Sequence, residues 1–474
     1  MEHTSLIIPI PSDFQSNHLR SIMANYDIAL PATLDQDRVG KTSKFNVIYG
    51  DRLNILLVGL GTIDGQVKHL LTSAIAKHKA VLGNEIILHP GLLSDCDPLI
   101  IEQAACGIVL GLENVGYYQS KNGTRTAYEI RIQTEDEPLL TAFENGLFKG
   151  DTIRSIIRLV NAPSNHKTTE HLASWMVESS SKYGYDLTVI EKRELEDHGF
   201  HALLAVNRGS EIPAKCLIGT YGKKKTGIPS ITIVGKGVTF DTGGLSIKGS
   251  NNMHYMKSDM GGAAAAMGAI ELAARLNLDV HLRVIIPTTD NSVDAHSIKP
   301  GDVISSYSGK SIEVIDTDAE GRLILADGLA YAVKNDRPDY LLDLATLTGS
   351  IVRALGNEAA GIMSHNDQLV EELAEAGEEV GERLWRMPIW KSYDQYMKSD
   401  IADIKNLSSK PMAGSITAAK FLEFFVDGHT HWAHMDIAGT AFGSYPTSKS
   451  YSATGYGIDL LIQWMRLITK NIKS

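Results

Sequence analysis

Three short segments crowd charged side chains among glycines, and the residue types they combine suit metal chemistry. Val234 to Lys248 (VGKGVTFDTGGLSIK) places Lys236, Asp241 and Lys248 after an apolar run. Met256 to Gly262 (MKSDMGG) places Asp259 just before an alanine-rich stretch, and Asp316 to Leu323 (DTDAEGRL) places Asp318, Glu320 and Arg322 at the start of another. Four carboxylates gathered at one site repel unless cations neutralise them, and their charge matches two divalent ions. Such a pair can polarise a carbonyl and lower the pKa of a water. None of the three segments holds a histidine, the nearest being His254. Oxygen-rich ligation of this kind accepts Mn²⁺, Mg²⁺ or Zn²⁺. A lysine could join as a ligand only if neutral, which needs its usual pKa of about 10.4 to fall steeply. Arg322 has no accessible neutral form and cannot itself be a base.

Each segment also has a plainer reading. Thr317-x-x-Glu320 fits a capping box, with acidic residues expected in a first helical turn. Asp259 alone could cap a helix, Lys236 could be a solvated loop residue, and Met256 an ordinary core methionine. The combination outweighs the separate explanations, because all four carboxylates fall at strand ends or helix starts beside cations.

Other motifs fail on spacing. Gly59-Leu60-Gly61-Thr62-Ile63-Asp64-Gly65 has its third glycine one position late for a dinucleotide fingerprint, and Asp64 would meet the pyrophosphate. It reads as a tight strand-to-helix turn. Gly222-Lys223 and Gly235-Lys236 lack the earlier glycine of a phosphate loop, and neither HExxH nor GxSxG occurs. His166 and His171 lie five apart, which is not the spacing of a helical zinc pair.

The elements that must carry the three segments are those of an α/β protein. Asn54 to Val58 reads as a buried strand, Val67 to Val81 as a helix, and Ile86 to Leu88 and Ala105 to Leu112 as further strands. Gly150 to Pro163 reads as a connecting helix that stops before proline. Beyond it, Ser230 to Val234, Val280 to Pro287 and Tyr340 to Ala345 are strand-like, with helices at Gly261 to Leu276 and Ala319 to Val333. Apolar strands without alternation, separated by helices, predict a mostly parallel central sheet flanked by helices. We therefore expect a smaller N-terminal α/β domain over residues 1–150, a connecting helix or linker over 151–165, and a larger C-terminal domain over 166–474 that holds the chemistry.

Composition narrows the class. The 474 residues are 43% hydrophobic and 21% charged, with a formal charge of −11, which describes neither a disordered nor a fibrous chain. Cys96, Cys106 and Cys216 are too few and too scattered for a disulfide framework and suit a reducing compartment as buried small hydrophobes. Glu2, Pro9 and Pro11 disqualify the first apolar run as an export signal, and no stretch is long enough to cross a bilayer. The expectation is a soluble cytoplasmic protein. Residues 1–150 and 151–474 carry −5 and −6, so neither part offers a basic footprint for nucleic acid.

The three segments closely resemble the signature segments of the leucyl (cytosol) aminopeptidase family, which are dinuclear-metal exopeptidases. The stretches Leu344 to Gly349, Ser415 to Ala419 and Trp432 to Thr440 extend the resemblance from about Arg158 to the end. It implies that Lys236, Asp241, Asp259, Asp318 and Glu320 ligate two divalent ions, Mn²⁺ or Zn²⁺, with Asp241 and Glu320 bridging. It implies Lys248 and Arg322 as the catalytic pair, with a bicarbonate at Arg322 as proton carrier, and Met256, Thr346, Leu347 and Gly349 near the peptide substrate. The implied activity is release of N-terminal residues, Leu- or Met-like ones preferred, in intracellular peptide turnover by a homohexamer. Asp316 departs from the family's usual Asn. Two other readings remain: a DNA-binding regulatory role of the assembled oligomer, and a two-metal phosphoesterase.

Overall fold

The computed structural model describes residues 4–30, 39–63, 65–93, 97–120, 127–408 and 410–473. Asp64 and Cys96 lie outside them. The chain divides into two compact units: Met1–Arg154 with Glu379–Gly381 and Ser444–Ser450, and Ser155–Glu378 with Glu382–Gly443 and Tyr451–Ser474.

The first unit is built on five strands: β1 (Thr4–Pro11), β2 (Phe45–Ile48), β3 (Leu53–Gly61), β4 (Glu85–Leu88) and β5 (Glu129–Ile132). Their order is β2-β3-β1-β4-β5, parallel except for β2 on β3. Central β1 is buried along nearly its whole length, which explains its unbroken apolar run. Pro9 and Pro11 fall beyond the stretch paired with β4, where no ladder N–H is required on that side.

Two expectations are corrected here. Ala105 to Leu112 is not a strand but part of the helix Pro98–Gly111, whose start is marked by Pro98 and by the Asp97 carboxylate accepting the Leu99 N–H at 2.8 Å. Its apolar run is continuous because the helix is buried all round. A Cβ at Gly107 would lie 2.5 Å from Lys68 O, and one at Gly111 2.5 Å from Ile75 Cβ, so these glycines permit close packing on the helix Val67–His78. Gly59 to Gly61 likewise continues β3 rather than turning, since a Cβ on Gly59 would meet Lys41 O at 2.2 Å.

The second unit contains β6 (Asp186–Ile190), β7 (Lys215–Tyr221), β8 (Ser230–Gly235), β9 (Gly237–Asp241), β10 (His281–Asn291), β11 (Val303–Ser305), β12 (Ser311–Glu313), β13 (Tyr340–Ala345), β14 (Ala360–Met363), β15 (Leu384–Arg386), β16 (Ile404–Lys405) and β17 (Trp432–Asp436). Nine of them form one sheet in the order β15-β14-β17-β13-β8-β10-β7-β6, with β9 set against β10. Its centre, β17-β13-β8-β10, is parallel, as the apolar runs predict. Strands β11, β12 and β16 form a separate small sheet.

Helices cover both faces of the large sheet. The alanine-rich helix Gly261–Arg275 approaches so closely that a Cβ on Gly235 would lie 2.7 Å from Ala263 Cα, while on the other face a Cβ on Gly328 of the helix Glu320–Asn335 would meet Val234 Cγ1 at 2.7 Å. The start of the first helix is wedged between strand ends, with a Cβ at Gly262 falling 1.9 Å from Leu344 O. Overpacking there has no soft neighbour to displace. Gly262→Ala should lower unfolding stability by about 3 kcal/mol, read as a shift in the urea midpoint; an unchanged midpoint would show that the helix can back away from the sheet.

Candidate active site

The carboxyl ends of the central strands deliver the charged segments to one place. Lys236 follows β8 directly, and its backbone is fixed from both sides: its N–H donates to Leu344 O (3.0 Å) and its carbonyl accepts from Ala263 N (2.9 Å). The side chain is 3% exposed. Its Nζ pairs with Asp259 Oδ2 at 2.7 Å and Glu320 Oε1 at 2.9 Å, and donates to Thr346 O at 3.1 Å. Asp241 ends β9, where Oδ1 accepts from Gly243 N and Asn291 Nδ2, both at 2.8 Å, while Oδ2 pairs with Lys248 Nζ at 2.7 Å. Lys248 also pairs with Asp318.

Carboxylate oxygens of Asp241, Asp259 and Glu320 all lie within 4.8 Å of one another, and the three side chains are buried. Among the described residues no other His, Cys, Asp or Glu group of three or more does this. Asp318 stands at the margin, a third exposed and joined through Lys248.

The local electrostatics follow from burying acids together. Burial raises the Asp259 and Glu320 carboxyls above their ordinary range, and burial with the Asp241 charge pushes Asp318 up to about 7. Burial alone would lower Lys236 and Lys248, yet the surrounding carboxylates hold both above the usual lysine value. Four carboxylates thus face two ammonium groups. Glu320 Oε2 is buried without a hydrogen-bond partner, and Asp259 Oδ2 meets only the Lys236 ammonium. Uncompensated buried oxygens in an oxygen-rich group fit a hard divalent cation.

Arg322 sits in the first turn of the helix Glu320–Asn335 and is 4% exposed. Its Nη1 donates to Asn406 O at 2.8 Å, while its Nε has no hydrogen-bond partner. Burial pushes its pKa down to about 10, with Glu320, Asp436, Asp316 and Asp318 favouring the charge, so it remains a cation at neutral pH.

Met256 lies half-buried in the 3₁₀ turn Met253–Ser258, which removes the core-methionine reading. Thr346 Oγ1 donates to Asp259 Oδ1 at 2.8 Å. Leu347 N donates to Asp436 Oδ1 at 3.1 Å, and exposed Gly349 opens the helix Gly349–Leu355 behind the Thr348 cap. The capping-box reading of Thr317 fails: its hydroxyl donates to Gly243 O (2.7 Å) and accepts from Ser246 N (2.8 Å), stapling the 316–320 turn to the glycine loop.

Three further buried residues hold the site together, and two of them, Asn291 and Asn406, carry no sequence signal. Asn291 Nδ2 bridges Asp241 Oδ1 and Thr317 O (3.1 Å), Asp436 accepts from Thr348 Oγ1 at 2.7 Å, and Asn406 grips the chain before Asp318. A buried histidine absent from the three segments is also near. His434 Nδ1 lies 2.6 Å from Asp343 Oδ1; burial disfavours its protonated form, but Asp343 outweighs that and raises its pKa, with Arg322 opposing.

Gly321 offers a local test of Lys236. A Cβ there would fall 2.5 Å from Lys236 Cε and 2.6 Å from Nζ, the end of a side chain rather than backbone. Gly321→Ala should therefore displace the ammonium without unfolding the protein, lowering metal retention by about 10- to 100-fold, the usual cost of disturbing a site's support. Chelator titration checks this, and unaltered retention would place Lys236 outside the metal centre.

Comparison with known proteins identifies the family. A model of the cytosol aminopeptidase family, catalytic domain, matches residues 155–462. A probable cytosol aminopeptidase of Chlorobaculum tepidum is 48% identical over 416 residues, covering 82% of each chain. That of Chloroherpeton thalassium is 38% identical over 98% of this chain and 96% of its own. Among solved structures, a tomato leucine aminopeptidase mutant superposes with a TM-score of 0.86 at 31% identity, over 98% of this chain and 94% of that one. A bottromycin maturation enzyme in complex with Mn gives 0.85 at 30% identity, over 99% and 100%. The chain belongs to the cytosol aminopeptidase family, and it is a metal-dependent aminopeptidase.

Proposed function

We propose that Lys236, Asp241, Asp259, Asp318 and Glu320 hold two divalent ions, Mn²⁺ or Zn²⁺, and that this centre releases N-terminal residues, Leu- or Met-like ones preferred, from peptides. The observation that carries the reading is the buried group of Asp241, Asp259 and Glu320, whose oxygens lie within 4.8 Å of one another while Glu320 Oε2 has no hydrogen bond. The manganese named with the bottromycin maturation enzyme supports the choice of metal. When bound, the ions supply charge to polarise the scissile carbonyl and a water acidic enough to attack it.

The protein's own groups do the rest. Lys248, 2.7 Å from Asp241 and partly exposed, sets a fixed positive charge beside the cluster, where it stabilises the oxyanion of the tetrahedral stage. Arg322 stays cationic and holds an anion, a bicarbonate, that carries the proton it cannot itself accept. Thr346, Leu347 and Gly349 line the peptide backbone, and Met256 gives a soft apolar wall for the N-terminal side chain. Lys236 would act as a ligand only in its neutral form, its proton released to solvent as the cation binds.

Activity of metal-stripped protein, restored in turn with Mn²⁺, Zn²⁺, Co²⁺ and Mg²⁺ on a panel of aminoacyl anilides, tests the proposal. We expect no turnover without metal, recovery with Mn²⁺ or Zn²⁺, and the leucine and methionine anilides fastest. Full activity in the stripped protein would overturn it. We further propose that the chain works in the cytoplasm as a homohexamer, supported by the exposed Trp385, Trp390, Ile401 and Met412. A monomer mass on size exclusion would refute the assembly.

A further inference from the structure

Asn406 belongs to none of the charged segments, yet it bonds Glu313, Ile315, Asp316 and Arg322 around the third of them. It follows β16 and is fully buried. Its N–H donates to Glu313 O at 2.9 Å, continuing the pairing of β16 with β12. Its side chain then replaces a strand partner for the next two residues: Oδ1 accepts from Ile315 N at 2.7 Å and Asp316 N at 3.3 Å, and Nδ2 donates to Asp316 O at 2.6 Å. Its carbonyl accepts from Arg322 Nη1 at 2.8 Å. The clamped backbone leads straight into the site, because Asp316 Oδ1 accepts from Asp318 N at 2.8 Å and Glu320 follows two residues later.

We propose that Asn406 is a positioning residue for the aminopeptidase reaction, fixing the turn that presents Asp318 and Glu320 and the Arg322 guanidinium to one another. The inference rests on the reading of Asp318 and Glu320 as metal ligands. An amide suits this place, since the backbone of 315–316 takes an acceptor for two N–H groups and a donor for one carbonyl from separate atoms of one side chain. Arg322 depends on the same residue, because its buried Nε finds no partner and its Nη1 bond runs to the Asn406 carbonyl. A shift of about 1 Å in such a support is enough to cost on the order of 10²-fold in rate.

The test compares Asn406→Ala and Asn406→Asp with Asp403→Ala. Asp403 ties the far end of the small sheet, its Oδ2 accepting from Ser311 N (2.8 Å) and Ser311 Oγ (3.0 Å), and reaches no site residue. Three quantities are read on full-length protein: Mn²⁺ retention against a chelator, kcat and KM for leucine anilide, and Tm. Both Asn406 variants should lose about 10- to 100-fold in Mn²⁺ affinity and in kcat, with KM within roughly threefold. Asp403→Ala should lower Tm while sparing retention and kcat. Asn406→Asp preserves volume and the acceptor while replacing the donor to Asp316 O by a carboxylate oxygen and its charge, so it leaves no cavity and reads the same quantities should the alanine variant fail to fold. Retention and kcat within twofold of the parent in either folded Asn406 variant would overturn the inference. Asp318→Ala and Glu320→Ala run alongside: metal kept in both would sink the ligand reading, whereas metal lost in both but kept in the Asn406 variants sinks the positioning role alone.

Discussion

Glu320→Gln is expected to lower kcat/KM for leucine anilide by at least about 10³-fold, roughly 4 kcal/mol of transition-state stabilisation, and to reduce bound metal. The substitution conserves volume, so the buried position opens no cavity. It removes one charge from a side chain that is 1% exposed and pairs through Oε1 with Lys236 at 2.9 Å. The second oxygen, Oε2, has no hydrogen bond to lose and is open to a cation. A glutamine would point either an NH₂ group or a neutral oxygen into that position, and neither balances a divalent ion. Metal analysis of the purified variant beside its rate decides the matter: bound metal and turnover within threefold of the parent would remove Glu320 from the centre.

Lys248→Ala and Arg322→Ala separate chemistry from metal binding. Lys248 is the more exposed of the two site lysines at 23% and pairs directly with Asp241 and Asp318, whereas Lys236 pairs with Asp259 and Glu320. Its loss should leave the ions in place and reduce kcat by about 10²- to 10³-fold, the cost of one preorganised oxyanion partner. KM should move far less, since the charge it meets develops only after attack. Arg322→Ala should cost kcat on the same scale and also some stability, because a buried guanidinium leaves a void beside Asn406. If leucine-anilide hydrolysis survives both changes near the parent rate, the assigned roles are wrong.

The long patterned elements were legible before the structure: Tyr340–Ala345 matches its strand, and the alanine-rich stretches form the helices Gly261–Arg275 and Glu320–Asn335. Local rules failed where burial and packing override them. Ala105 to Leu112 looks like a strand because a helix covered on every side has no polar face to reveal its period. Thr317 fits a capping box by spacing, but its hydroxyl is taken by the glycine loop more than seventy residues away. Asn291 and Asn406 were invisible because an amide that bonds distant backbone leaves no pattern among its neighbours in sequence. The charged cluster could be anticipated from sequence because acids and lysines beside glycines at strand ends are costly without a purpose, and the structure does bring Asp241, Asp259 and Glu320 together.

The placement of β17 has a consequence for the growing chain. It lies between β13 and β14, although it comes from residues 432–436, after both. The charged residues of the three segments are all translated by Arg322, yet the sheet whose ends align them stays open until β17 inserts. At about 5–20 residues per second, synthesis runs on for roughly 5–20 s between β13 and β17. During that interval the nascent protein carries its acids and lysines without the strand that completes the centre of the sheet beneath them.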